Sequence, residues 1–326
     1  CEYWPSTTMN SQLSEAFYDN FGVAVFNDND NAVTINIYTG DSTVADETLV
    51  IPANSSHTFQ LTMNEDLRFP ANLAMTAFES KVVPDGAWRL TSNYPVTVYQ
   101  FNPLDFQSGT EYSYTNDAAL LLPTHVLGTN YHIMARQTWG LKRTCTNPYQ
   151  GESRPWSYTP GYMTIVGTAD NTTVTVKYTS YTAPGTGITS SSPGLIETYT
   201  INRGEALQIL SAIPSYGTDC SGTSTSGSCV PVPSKCTCEY CDLGPAYDLT
   251  GSLVESDQPI AVFSGNNCAF VPYNYWACDH LEEQMMPSDT WGRDYVVSRT
   301  EPQSNSSPEP NVIRIVSSTD GNVINF

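Results

Sequence analysis

The side chains best suited to acid–base chemistry crowd into one short run, Asp279-His280-Leu281-Glu282-Glu283, where carboxylates flank an imidazole. Such a set can exchange protons near neutral pH. Catalysis would also need a nucleophile, a metal set or a phosphate-binding loop. The remaining histidines, His57, His125 and His132, are scattered, and the chain has no GxSxG, HExxH or glycine-rich phosphate motif. No catalytic residue is assigned.

The cysteines offer a second chemistry. Nine are present, seven of them between Cys220 and Cys278. Cys236, Cys238 and Cys241, with Cys220 and Cys229, supply enough thiolates for zinc, but the spacing lacks paired CxxC knuckles. Disulfides are expected instead, in an oxidising compartment. Cys268 and Cys278 flank a short loop and are expected to pair, while Cys145, Cys220, Cys229, Cys236, Cys238 and Cys241 close among themselves in an order that spacing does not rank. Cys1 is left over. It marks either a lipidated terminus or a boundary within a longer polypeptide.

Two further patterns bear on ligands. The turn Asn27-Asp28-Asn29-Asp30-Asn31 presents alternating oxygens, but it lacks the glycine and distal glutamate of an EF-hand. A tight hairpin turn is the expected role, weak Ca²⁺ capture the alternative, and no cofactor is assigned. Aromatic residues gather in two loops: Phe270, Tyr273, Tyr275 and Trp276 between Cys268 and Cys278, and Phe106, Tyr112 and Tyr114 at the equivalent place earlier in the chain. Flat rings at loop tips suit recognition of protein surfaces or glycans, because they bury much area for little entropy. Packing against a neighbouring unit is the competing role. Asn54, Asn171 and Asn305 begin Asn-x-Ser/Thr triplets and are N-glycosylation candidates.

The elements that must position these groups come from a duplication. LTSNYPVTVYQFN at 90–102 recurs as VESDQPIAVFSGN at 254–266, and Pro123-x4-Gly128-x2-Tyr131 recurs at the same offset as Pro287-x4-Gly292-x2-Tyr295. VAVFNDNDNAVTINI from Val23 matches MTIVGTADNTTVTV from Met163, and a third copy, VIRIVSSTDGNVINF, opens at Val312. The offset grows from 140 to 164 between early and late landmarks, so the second unit carries an insertion of about 24 residues, the cysteine-rich stretch 217–243. A repeat of this length points to what the unit presents rather than to a single cleft.

Period-two alternation, as in Val33/Ile35/Ile37 and Val174/Val176, marks strands bounded by Asn, Asp, Gly or Pro. Helical spacing is limited to Gln12–Tyr18 and Leu281–Met285, each a turn or two. The expected fold is all-β: two tandem antiparallel β-sandwich units with the first hairpin of a third. Residues 1–150 form the first unit, 151–305 the second, and 306–326 the start of a third or an exchanged strand segment. The Pro- and Ser-rich stretches 144–160 and 301–310 are expected connectors, and 182–194 a long exposed hairpin loop.

Composition narrows the partners. Thirteen Lys plus Arg against 33 Asp plus Glu give a net charge of −20, which repels nucleic acid and anionic lipid. No apolar run reaches the length that spans a membrane. Scarce lysine with abundant Ser, Thr, Asn, Tyr and Gly fits a secreted protein found outside the cell or at its surface.

The runs DLTGSLVESDQPIAVFSGNNCAF (248–270) and ACDHLEEQMMPSDTWGRDYVV (277–297) resemble the N-terminal domain of the IgGFc-binding protein family. The resemblance is specific over 248–297 and weaker but collinear over 21–134 and 162–210, whereas 217–243 is peculiar to this chain. It implies a noncatalytic extracellular module that often precedes other adhesive domains. It carries over no ligand residue, and the self-cleaving GDPH motif of associated domains is missing. The implied partners are other extracellular proteins or copies of the chain itself, with glycans as the alternative.

Overall fold

The computed structural model describes residues 1–69, 78–146, 153–227, 236–272, 278–298 and 311–325. Alternation becomes pleat wherever it was read: Val33, Ile35 and Ile37 are buried while Thr34, Asn36 and Tyr38 between them face outward.

In the first unit one sheet runs Glu2–Tyr3, Trp88–Ser92, Val33–Thr39, Glu47–Ile51 in spatial order, and the other runs Ala118–Leu120, Thr97–Phe101, Phe21–Asn27, Ser55–Leu61. Every pairing is antiparallel. The sheets enclose a core that includes Tyr3, Phe21, Val23, Ile35 and Leu90.

The second unit repeats that order strand for strand. Asn130–His132, Leu253–Ser256, Thr172–Lys177 and Ile196–Ile201 form one sheet, and Asp279–Gln284, Ile260–Ala269, Gly161–Gly167 and Ala206–Leu210 the other. Its core includes Tyr131, Met163, Ile165, Val174 and Ile260. The duplication extends to single bonds. Tyr3 OH donates to Val96 O at 2.5 Å, and Tyr131 OH donates to Ile260 O, at the matching place, at 2.7 Å. Burial pushes both hydroxyls up, Tyr131 to about 12, so both remain protonated donors.

The pairing moves the seam between the units. Strand Asn130–His132 pairs with Leu253–Ser256, and Trp139–Cys145 pairs with Cys236–Asp242, so residues 130–132 and 139–145 sit in sheets with second-unit strands, although the sequence reading ran the first unit to residue 150. The expected connector 144–160 is likewise strand at both described ends. Arg154–Thr159, Trp139–Cys145, Cys236–Asp242 and Thr223–Gly227 make a four-stranded antiparallel sheet that gives the cysteine-rich insertion its own frame. One proline of that stretch, Pro155, lies within the strand, beside an irregular register where Arg143 faces Arg154.

Two other expectations change. Residues 182–194 fold back instead of standing free: Ala183 N donates to Leu210 O, Ser80 N donates to Pro184 O, and Thr182, Ala183, Ile188 and Ser191 are buried. Of Leu281–Met285, the first four residues are strand, not helix, because the alternation is polar-inward, with His280, Glu282 and Gln284 on the buried side. Gln12–Tyr18 does hold a single 3-10 turn, Glu15–Phe17. Residues 311–325 bend at a turn near Ser317–Asn322, and Arg314 ties them to Asp248, 2.6 Å away, and to Ala135 O. The expected connector 301–310 lies outside the described residues.

The two units interlock. Lys81–Val83, from the first, adds a fifth strand to the second unit's inner sheet by pairing with Ala206–Leu210. All of Gly161–Gly167 and Ile260–Ala269 is buried, since that sheet is covered on both faces. Val166, Ala206, Ala261 and Phe263 join the first unit's core.

Candidate functional site

Phe106, Tyr112 and Tyr114 come together on a hairpin of the first unit made by Gln107–Ser108 and Glu111–Tyr112. Gly109, at φ 60°, takes the left-handed turn conformation that the short loop requires. Ser113 N donates to Phe106 O at 2.8 Å, which closes the hairpin and faces the rings toward one another. Phe106 lies 5.4 Å from Tyr112 and 5.7 Å from Tyr114, and the two tyrosines are 6.3 Å apart. They are 56%, 46% and 70% exposed, respectively, so the cluster faces solvent and is not covered by the neighbouring unit.

The base of this loop is fixed by side-chain amides. Asn116 Nδ2 donates to Pro103 O and Asp105 O, at 3.1 and 3.0 Å. Asn20 and Asp105 clasp each other, since Asn20 Nδ2 donates to the Asp105 carboxylate and Asp105 N donates to Asn20 Oδ1. From below, Asn10 Nδ2 donates to Asn102 O and Thr115 O. Leu104 lies over Gly22, where a Cβ would stand 2.9 Å from it. The rings are thus held on a tied platform, and little order remains to be gained on binding.

The equivalent loop of the second unit is built differently. Phe270 is only 2% exposed and packs edge-on against Trp139 at 4.2 Å and Tyr240 at 5.4 Å, so it is a core residue rather than a contact residue. Tyr273, Tyr275 and Trp276 lie outside the described residues. A disulfide joins Cys268 to Cys278, and two more join Cys145 to Cys236 and Cys220 to Cys241. Cys238 is disulfide-bonded as well. Cys229 lies outside the described residues, and Cys1 carries an exposed free thiol. Asn54 and Asn171 stand exposed on turns at φ 50° and 53°, while Asn305 lies outside the described residues. The amide of Asn27 ties its own turn, donating to Asn31 O, Ile51 O and Pro52 O.

Of the acid–base run, His280 and Glu282 are sealed between the units, while Asp279 and Glu283 face outward. Glu282 Oε1 accepts from Gln100 Nε2 at 2.6 Å, and Oε2 accepts from Asn102 Nδ2 at 3.1 Å and from Thr8 Oγ1. His280 Nε2 is 3.4 Å from the same oxygen, and neither side chain reaches solvent. Tyr162 lies over the imidazole at 6.0 Å and donates to Leu281 O at 2.9 Å. Glu282 N donates to Asp117 Oδ2 at 2.7 Å, and Leu122 N donates to Gln284 Oε1 at the same distance. A carboxyl group so buried and so fully hydrogen-bonded fastens the two units together. The sequence held a signal for this lock: Gln100 and Asn102 continue the inward alternation of Val98 with polar side chains, which only a polar partner could satisfy.

Comparison with known proteins places the chain. A family model described as IgGFc binding protein matches residues 117–326. The human IgGFc-binding protein is 40% identical over 62 residues, which make up 19% of this chain and 1% of that protein. The chain therefore matches only a small part of that relative's length. No solved structure matches.

Proposed function

The chain belongs to the IgGFc-binding protein family, and on that footing we propose that it is a secreted module that binds other proteins through the Phe106–Tyr112–Tyr114 cluster. The exposed, tied cluster carries this reading. Aromatic rings that stand in solvent on a loop with a hydrogen-bonded base are well suited to anchor protein contacts, because a partner can bury them with less ordering. Disulfides at three described places support an oxidising, extracellular setting. The same contacts repeated between copies would give an adhesive or scaffolding role.

The test is capture of a partner by the whole immobilised chain. The relative's name makes the Fc fragment of IgG the first probe. Replacing Phe106 and Tyr114 with alanine removes two anchors and is expected to weaken capture by about tenfold or more, with the thermal midpoint unchanged. Equal capture by the variant would refute the assignment. Capture that needs only the free glycan, and not the polypeptide, would make the module a carbohydrate binder.

A further inference from the structure

The duplication shows one sheet face twice, once sealed and once in solvent. The second unit meets the first through the face of its inner sheet that points away from its own core, and Phe263, Ala261 and Val166 on that face enter the first unit's core. Polar neighbours complete the joint. Glu282 accepts from Asn102, Gln284 accepts from Leu122 N, and Gln208 donates to Leu67 O, all at the first unit's open end. Strand registers identify the counterpart of this face in the first unit. Phe263 stands between Gln284 and Thr164 as Tyr99 stands between Leu120 and Ala24, and Val166 pairs with Ala261 as Phe26 pairs with Thr97.

The two faces differ in their cover. Phe263 and Val166 are fully buried, whereas Phe26 and Leu120 stand exposed and Tyr99 and Phe101 are half-buried. An antiparallel sheet that faces water carries polar side chains outward, as Thr34 and Asn36 do on the neighbouring sheet. Here the outward positions are Ala24, Phe26, Tyr99, Phe101, Ala118 and Leu120, uncharged in a chain with 33 acidic and 13 basic residues. Phe26 and Tyr99 meet edge to face at 6.0 Å, and Leu104 lies over Gly22, at the corner that Tyr162 fills in the second unit. The polar locks are replaced as well. Ala118 and Leu120 stand where the second unit has Glu282 and Gln284, so covering this part of the face strands no charge.

We infer that this face receives the open end of the second unit of another copy of the chain, stacking copies head to tail as the two units stack within one copy. That end resembles the one already seen to dock. Asn266 Nδ2 donates to Arg136 O as Asn102 Nδ2 donates to Thr8 O, and Met286, at the position of Leu122, is exposed. The repeat that follows is already met there, since Arg314 of the third copy donates to Ala135 O, next to Arg136. The segment 311–325 is a fragment of such a unit, and a second copy would supply the whole sheet in its place. The inference extends the protein-binding reading to a different surface, and Fc capture does not enter its test, so the two can fail separately.

The experiment is sedimentation of the whole chain from about 5 to about 500 µM, with the free Cys1 thiol capped so that it cannot crosslink copies. The average mass is expected to rise with concentration beyond that of a pair, because a head-to-tail contact does not close on itself. Phe26→Asp on the face and Met286→Asp on the end, both at exposed positions, should each weaken association by about tenfold or more with the thermal midpoint unchanged. Leu120→Asp reads the same face should Phe26→Asp not fold. An equimolar mixture of a face variant and the end variant should restore pairs and nothing longer, since one chain keeps its end and the other its face. A chain that stays single at every concentration, association that either variant leaves undiminished, or a mixture that restores no pairs would each overturn the inference. Loss on the face variants alone would do so too, because it means that two like faces meet.

Discussion

Around the buried Glu282, acid groups are packed closely enough to change their titration. Burial raises Asp279 to about 6, with Asp117 adding repulsion, and it raises Glu283 to about 7, with Asp117 and Glu282 adding theirs. Asp117 is itself pushed up by burial. Each raised group binds its proton more tightly folded than unfolded, so its contribution to stability is fully present below its ordinary value and is lost as pH rises through the raised one. The thermal midpoint is therefore expected to rise as pH falls from about 8 to about 5, the reverse of a carboxylate that needs its charge. Asp279→Asn combined with Glu283→Gln should raise the midpoint at pH 8 and flatten the dependence. If parent and variant show the same pH profile across that window, these carboxylates do not control it.

Among the elements, the insertion shows most clearly what a sequence conveys and what it withholds. Its cysteines announced disulfides, and the loop between Cys268 and Cys278 is closed as its spacing suggested. The Cys145–Cys236 bond was not legible, because it joins residues 91 apart that become direct partners only once Trp139–Cys145 and Cys236–Asp242 have found their register. The chain-entropy model assigns about 4.5 kcal/mol to closing a loop of this size. Replacing both cysteines with serine should lower the midpoint in a calorimetric scan and loosen this sheet in hydrogen exchange before either sandwich. Uniform loss of protection across the chain would mean that the insertion is not a separate stability unit. The strands of the sandwiches were legible for the opposite reason. Val33, Ile35 and Ile37, like Val174 and Val176, bury one face against a core supplied by their own neighbourhood, and period-two patterning records that face directly. Asp279–Gln284 escaped the same test because its buried face is polar, matched to Thr8, Gln100 and Leu122 of the other unit. The candidate rings were visible by type, but only tertiary packing separates exposed Tyr114 from buried Phe270.

At the scale of the molecule, duplication has produced a fused pair rather than beads on a string. The second unit's inner sheet lends Phe263, Val166 and Ala261 to the first unit's core and receives Lys81–Val83 as an edge strand in return. At the same seam Gly204 passes so close to Gly40 that a Cβ there would lie 2.6 Å from its carbonyl carbon. Each unit thus presents a surface that is folded only in the company of the other, and the Glu282 lock lies across the joint. Such coupling predicts one cooperative transition, with calorimetric and van't Hoff enthalpies in agreement, where independent domains would give two. Phe263→Ala removes a ring that belongs to one unit by chain and to the other by packing, at a cost of about 3–5 kcal/mol. Its effect should appear as a downward shift of the single transition, because neither unit can keep its core while the other opens. If the variant instead splits the scan into two peaks, the units are separable and the joint is a contact rather than a shared core.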